Sequence, residues 1–255
     1  MGVILGIIAL TVTAAAVILV GTLIGAIGIG GVLLVPLLTL VTGMGVHVAI
    51  ASAMFSYLFT GIVGAAEYAR RGTIQWRTGL WLCLGGMPGA YVGALTTWML
   101  PSSVLEAVIG SLVFASGIKA MRPVSTEDLT PREVHPGLLL VIGVVTGFGS
   151  AITGTGGPLV LVPILLALKV APLAAVGLSQ IIQIPIAILA TWGNVSFGHV
   201  DFKVGLMLSV LLVLGVIIGA KIAHQVSKRA LTKVIAVALL GAGAAMLAKV
   251  FGFIG

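Results

Sequence analysis

Charge is what this chain has least of. Only 7% of its 255 residues are Asp, Glu, Lys or Arg, while 60% are hydrophobic and the mean hydropathy is +1.29. A soluble domain needs several times that charge to cover its surface. A soluble fold is therefore excluded, and an all-α polytopic membrane protein is predicted. Acid is scarcer still: six Asp and Glu stand against thirteen Lys and Arg. No Asp or Glu lies near the middle of an apolar run, so a buried carboxylate proton relay is not expected. The single cysteine, Cys83, excludes an internal disulfide and reads as packing within an apolar run. The chain shows no metal-ligand cluster, no nucleophile–base pair and no phosphate loop with its lysine. No cofactor is expected, and an intramembrane enzyme is disfavoured because it needs a convergent acid, base or metal set. The net charge of +7 does not point to a nucleic-acid partner. The basic residues sit between apolar runs, where they act as topology signals.

Long apolar runs are what the chain has in quantity. They lie at about 3–27, 32–43, 47–69, 77–100, 103–121, 137–153, 158–169, 171–193, 203–223 and 230–250. Most reach the roughly 20 residues needed to cross a bilayer. The first has no basic leader and is too long for a signal-peptide core, so it reads as a membrane helix. Runs 32–43 and 158–169 are short.

The two halves repeat. Pro36 matches Pro163, and Ser52 matches Ser179. Gly72-Thr73-Ile74-Gln75-Trp76-Arg77-Thr78-Gly79 matches Gly198-His199-Val200-Asp201-Phe202-Lys203-Val204-Gly205. Gly89 and Gly93 match Gly215 and Gly219, and Gly117 matches Gly243. Similarity between greasy sequences would not keep that polar signature in register, so internal duplication is predicted. The expected organisation is a first transmembrane repeat over 1–121, a cytoplasmic linker over 122–136 and a second repeat over 137–255.

Each short run follows a glycine-rich break. The first is Gly28-Ile29-Gly30-Gly31, leading to Pro36; the second is Gly154-Thr155-Gly156-Gly157-Pro158, leading to Pro163. Clustered glycines weaken a helix and proline removes a backbone donor. In lipid such a break is tolerated only where it is buried in protein or lines a cavity. A matched pair of breaks, one in each half, is the sequence pointer to a transporter's binding site.

The basic residues choose between two orientations. Ten crossings, five per half, force the second half to be inverted; eight crossings make the halves parallel. With ten crossings and both termini outside, eleven basic residues lie inside: Arg70, Arg71, Arg77, Lys119, Arg122, Arg132, Lys169, Lys221, Lys228, Arg229 and Lys233. Only Lys203 and Lys249 lie outside. Eight crossings put the cluster Lys221, Lys228, Arg229 and Lys233 outside, against the positive-inside rule. Two inverted five-segment repeats with discontinuous helices are therefore expected, in a bacterial or archaeal cell membrane.

The paired G-x-G-G…V-P segments, the G-x-[IV]-[DQ]-[WF]-[RK] turn and the Gly89/Gly93 and Gly215/Gly219 pairs resemble the sulfite exporter TauE/SafE family of membrane transporters. The resemblance covers nearly the whole chain. It implies transport of sulfite, sulfonates or related sulfur-containing or carboxylate anions. The chain departs from a symmetrical pattern in its first break, which lacks the threonine of the second and is one residue shorter.

A helix restarting after a glycine break presents unpaired N–H groups and a partial positive charge, which hold an oxyanion without a formal cation. Gly30, Gly31, Gly156 and Gly157 would allow a small anionic substrate to approach the backbone, and Thr155 could add a hydroxyl. Ser52 and Ser56 share a helix face at i, i+4. Ser179 and Gln183 hold the equivalent places, with Gln180 beside them. Serine often bonds back to its own helix, whereas a glutamine amide needs an outside partner. His47, at the predicted outer surface, is a weaker candidate for a gating or proton role, and Glu67 and Asn194 are weaker candidates that interfacial anchoring explains equally well. Trp76, Arg77, Phe202 and Lys203 read as interface anchors, and the paired glycines as packing seams. A secondary transporter is the leading reading and a passive anion channel of the same fold the alternative. Membrane potential favours anion exit by about 2.3 kcal/mol per charge at 100 mV, so export could run without a coupling ion whereas uptake would need one, and the direction is open.

Overall fold

The computed structural model describes residues 2–28, 30–121, 134–222 and 228–252. Among them the chain is helical, without a strand. Ten α-helices follow in order: α1 (Gly2–Ile27), α2 (Leu34–Val41), α3 (Val46–Arg70), α4 (Trp76–Met99), α5 (Ser102–Met121), α6 (Pro136–Thr153), α7 (Pro158–Ala167), α8 (Pro172–Phe197), α9 (Phe202–Ile222) and α10 (Lys228–Val250). They fall on the ten apolar runs. The largest difference is at the end of α8, which continues through Asn194 to Phe197, with Asn194 bonded to Trp98 of the adjacent α4. Of the expected linker, residues 122–133 lie outside the described residues.

Both short helices begin at the breaks. After α1 the chain turns at Gly28, whose φ of +80° suits glycine, and passes through a 3-10 turn, Gly30–Leu33, into α2. α6 ends on Gly154 in the left-handed conformation, and the N–H groups of Gly154 and Thr155 both donate to the Ser150 carbonyl. Gly157, with φ of +117°, precedes α7, and Pro158 takes the first helical position, where its missing N–H costs nothing.

Small residues let the long helices approach closely, the usual solution where lipid supplies no hydrophobic drive. Gly21 and Gly25 of α1 lie against Leu212 and Val216 of α9. Gly85, Gly89 and Gly93 of α4 lie against Leu140, Val144 and Phe148 of α6. Numbers rise together in both seams, so each pair is parallel. α4 also runs with α8, from Gly79 beside Leu178 to Ala94 beside Gly193. α9 runs with α3, from Asp201 beside Ser52 to Gly205 beside Phe55. α3 and α8 are antiparallel, with Tyr57 bonded to Gln183 and Tyr68 beside Gly177. α5 and α10 are antiparallel too, with Gly110 beside Leu247 and Gly117 beside Leu240.

It follows that α1, α3 and α9 run one way and α4, α6 and α8 the other. Between α1 and α3 only Gly30–Val41 can return the chain, and between α6 and α8 only Pro158–Ala167 can do so. As helix these segments span about 18 Å and 15 Å, against a hydrocarbon core of about 30 Å. Each therefore starts inside the molecule.

α3 and α8 form the centre. Their apolar windows are 61% and 67% buried, against 44% for α6 and 39% for α9. These four helices are long and apolar enough to cross a membrane. Outward stripes such as Val141, Val145 and Phe148 on α6 and Leu206, Val210 and Leu214 on α9 are apolar yet exposed. A water-facing helix would carry polar residues there. The protein is an integral membrane protein. Among described side chains, Arg70, Arg71, Arg77, Lys169 and Lys221 lie at the end where α3 finishes, and Lys203 and Lys249 at the other.

Candidate functional site

The two glycine breaks meet at the centre of the molecule, and Tyr57 of α3 stands between them. Its hydroxyl donates to the Gly31 carbonyl at 2.7 Å. Its ring lies 2.8 Å from the point where a Cβ on Gly156 would stand. The Thr155 carbonyl oxygen is 2.8 Å from the corresponding point on Gly31. Gly30 packs back on α1, where a Cβ would meet the Val20 carbonyl oxygen and, at 2.7 Å, the Ile24 nitrogen. Gly157 has more room: Ile186, Ile182 and the Ser150 hydroxyl lie 3.6, 3.7 and 3.8 Å from its Cβ position.

The hydroxyl groups differ in their partners. Ser56 Oγ donates to the Ala53 carbonyl and Ser179 Oγ to the Val176 carbonyl, both within their own helices. Ser52 Oγ reaches the Asp201 carbonyl at 3.3 Å, near the end of the molecule where α9 begins. Thr155 pairs with Thr153 at 3.0 Å. Thr146 and Ser150 of α6, both fully buried, have no partner for their hydroxyls among the described residues.

The two glutamines of α8 also differ. Gln183 Nε2 donates to the Tyr57 carbonyl at 3.0 Å and to Thr60 Oγ1 at 2.7 Å, tying α8 to α3. Gln180 is equally buried, and neither amide atom has a partner. Its side chain fills the space left by Gly64, where a Cβ would meet Oε1. A buried amide without partners is costly. The structure thus brings Gly31, Thr155, Gly156 and Gly157 together around Tyr57, with Gln183 attached through Tyr57 and Thr60. Gly28 links Ser179 to this group, with Ser179 Oγ 3.3 Å from its Cβ position beside Pro158.

Sequence reasoning passed over Tyr57, Thr60, Gly64, Thr146 and Ser150. Thr60 extends the i, i+4 stripe of Ser52 and Ser56, and Thr146 and Ser150 form another such stripe. Tyr57 carried the plainest signal, because a phenol in the middle of an apolar span needs a polar partner. Of the weaker candidates, His47 Nε2 lies 3.0 Å from the Leu100 carbonyl, and its ring stacks on Trp98. Asn194 Oδ1 accepts from Trp98 Nε1 at 2.9 Å, and Glu67 lies 3.8 Å from both Arg70 and Arg71. These are anchoring contacts at the ends of the helices. Among the described residues no three His, Cys, Asp or Glu side chains gather as metal ligands.

Comparison with known proteins fits this architecture. The probable membrane transporter protein YdhB of Bacillus subtilis is 28% identical over 225 residues, covering 82% of this chain and 89% of its own. YjnA, a probable membrane transporter protein of the same organism, is 28% identical over 88% of this chain and 94% of its own. MJ0441, a probable membrane transporter protein of Methanocaldococcus jannaschii, is 25% identical over 83% of this chain and 87% of its own. No solved structure matches. The family described as Sulfite exporter TauE/SafE matches residues 13–249, so from one end of the helical bundle to the other this chain belongs to the TauE/SafE family.

Proposed function

We propose that this protein is a secondary transporter for small anions, with sulfite, sulfonates and related organosulfur or carboxylate anions as the substrate class. The reading rests on one observation: the two broken segments converge on one buried centre, where the Gly156 and Gly157 backbone lies beside Ser150 and Tyr57. Gly31 and Gly156 lie against Tyr57 and Gly157 against Ser150, and no Lys or Arg of the described side chains is buried there. Backbone and hydroxyl donors hold an anion without a counter-cation. The named class of substrate comes from the family.

The two halves are read as inverted repeats, 1–121 and 137–255. In support, four of the five helices of the first half run opposite to their counterparts in the second: α1 to α6, α3 to α8, α4 to α9 and α5 to α10. An axis in the membrane plane through α3 and α8 would place the breaks at mid-depth, where alternating access needs the site. The basic end of the molecule is assigned to the cytoplasm, which puts both termini outside.

Competition on purified, reconstituted protein tests the function. Sulfite, a short alkyl sulfonate and a carboxylate should compete with one another for saturable uptake into vesicles. Inorganic cations and neutral isosteres should compete far less, because the helix-end field rewards negative charge. Equal competition by a neutral solute excludes the helix-end site. Ohmic single-channel current in place of saturable counterflow makes the protein a channel.

A further inference from the structure

We infer that the two breaks are not equivalent: the anion is seated at the start of α7 alone, with Ser150 as a direct ligand, while the first break is closed by packing. This rests on the transport reading above and sharpens its site.

Space separates the breaks first. At the first, Gly30 is pressed on the α1 backbone and Gly31 on the Thr155 carbonyl, with its own carbonyl taken by Tyr57. The chain there enters a 3-10 turn, and α2 has only eight residues. At the second break, Gly156 is pressed on the Tyr57 ring, whereas the three atoms nearest to a Cβ on Gly157 all stand at ordinary van der Waals distances.

Donors separate them next. Val160 and Leu161 donate to the Gly157 carbonyl, and Pro158 has no N–H. Among the described residues no backbone carbonyl accepts from Gly156 or Gly157 N–H, and Leu159 N–H, in the first turn, has no preceding helical carbonyl to reach. The Ser150 hydroxyl, 3.8 Å from the Cβ position of Gly157, is fully buried and without a partner among the described residues. A buried serine in a helix ordinarily bonds back to its own backbone, as Ser56, Ser179 and Ser209 do here. Ser150 does not, so its donor is available to a ligand. Thr146, one turn earlier on the same stripe, is in the same condition. The first half has Ile24 and Val20 at the equivalent places, counted back from the matched glycines, and so offers no hydroxyl.

The seat therefore consists of a helix end worth about half a positive charge, plus hydroxyl donors. In a dry site that suits a compact head group bearing one negative charge and several oxygens, as on a sulfonate or hydrogen sulfite; a second charge raises the desolvation cost steeply.

Calorimetry on purified protein, with a short alkyl sulfonate as the probe, tests this. Wild type should bind one anion per chain. Ser150→Ala should weaken binding about tenfold or more, since hydrogen bonds to charged groups are the strong ones. Ser209→Ala, which removes a serine bonded to its own helix, should change it less than about twofold. Thermal unfolding checks that the variants are folded. Should Ser150→Ala fail to fold, Ser150→Cys keeps the volume, weakens the donor and carries the same expectation. Unchanged affinity in a folded Ser150 variant overturns the seat while leaving the transport reading intact, and two anions per chain overturn the inequality of the breaks. If wild type binds and transports no anion at all, both readings fall together.

Discussion

Single residues at the centre act mainly through the backbone they touch. Tyr57 shows this: one side chain caps the Gly31 carbonyl and covers Gly156, and its own carbonyl accepts from Gln183. The Gln183 amide is a tie between α3 and α8 as well as a candidate ligand. Gln183→Leu removes two buried hydrogen bonds and should lower stability by about 1–3 kcal/mol, read as a fall in the apparent melting temperature in detergent. Gln183→Glu should be worse at neutral pH. A carboxylate in that place faces the Tyr57 carbonyl oxygen with no donor to offer it. A Glu variant that melts above the Leu variant would show that the tie does not depend on the amide donor. At this scale the sequence disclosed residue types but not their state. Ser56, Ser179 and Ser150 are indistinguishable as letters in apolar runs, and only the third has a hydroxyl left without a partner.

Elements are held together by backbone contact through glycine. In the α1–α9 seam a Cβ on Gly215 would strike the Ile18 carbonyl oxygen, and one on Gly219 the Thr22 carbonyl oxygen. The α4–α6 seam does the same with Gly89 and Val144. Gly215→Leu should therefore force α1 and α9 apart and cost about 1–3 kcal/mol or more. It should reduce the yield of folded protein, measured by size exclusion, before any effect on anion specificity. A Gly215→Leu protein with normal yield and melting temperature but altered specificity would make the seam part of the site. The G-x-x-x-G pairs were legible in sequence as packing seams, because only small residues let helix backbones touch. Their partners were not legible. The pairing of α1 with α9 and of α4 with α6 depends on contacts across the halves, and nothing local encodes those.

For the whole molecule, the division of basic residues between the ends makes an orientation testable. Gly45 lies at the end where α3 begins, in open space and with φ of −58°, so another residue fits there. Arg70, at the opposite end, has 80% of its side chain exposed. In a Cys83→Ser background, Gly45→Cys should be labelled by an impermeant thiol reagent in intact cells, and Arg70→Cys only after the cells are opened. The reverse pattern would invert the assignment and place both termini in the cytoplasm.

The sequence by itself determined the membrane environment, the ten helical segments with their approximate ends, and the two breaks. Those follow from composition, run length and the backbone chemistry of glycine and proline, all of which are local. It also carried the matched polar signature on which the reading of two repeats rests. Tertiary structure alone decided that the two breaks meet at Tyr57, that Gly30 is closed against α1, and that Gln180 and Ser150 are buried with unpaired polar atoms while Gln183 and Ser179 are not. The physical reason is that hydrogen-bond satisfaction in a membrane interior is a property of neighbours. A hydroxyl or amide in an apolar run has the same local sequence whether it closes on its own helix, ties two helices together or waits for a ligand. Only packing α3 and α8 against each other, with both breaks at their midpoint, separates those three outcomes.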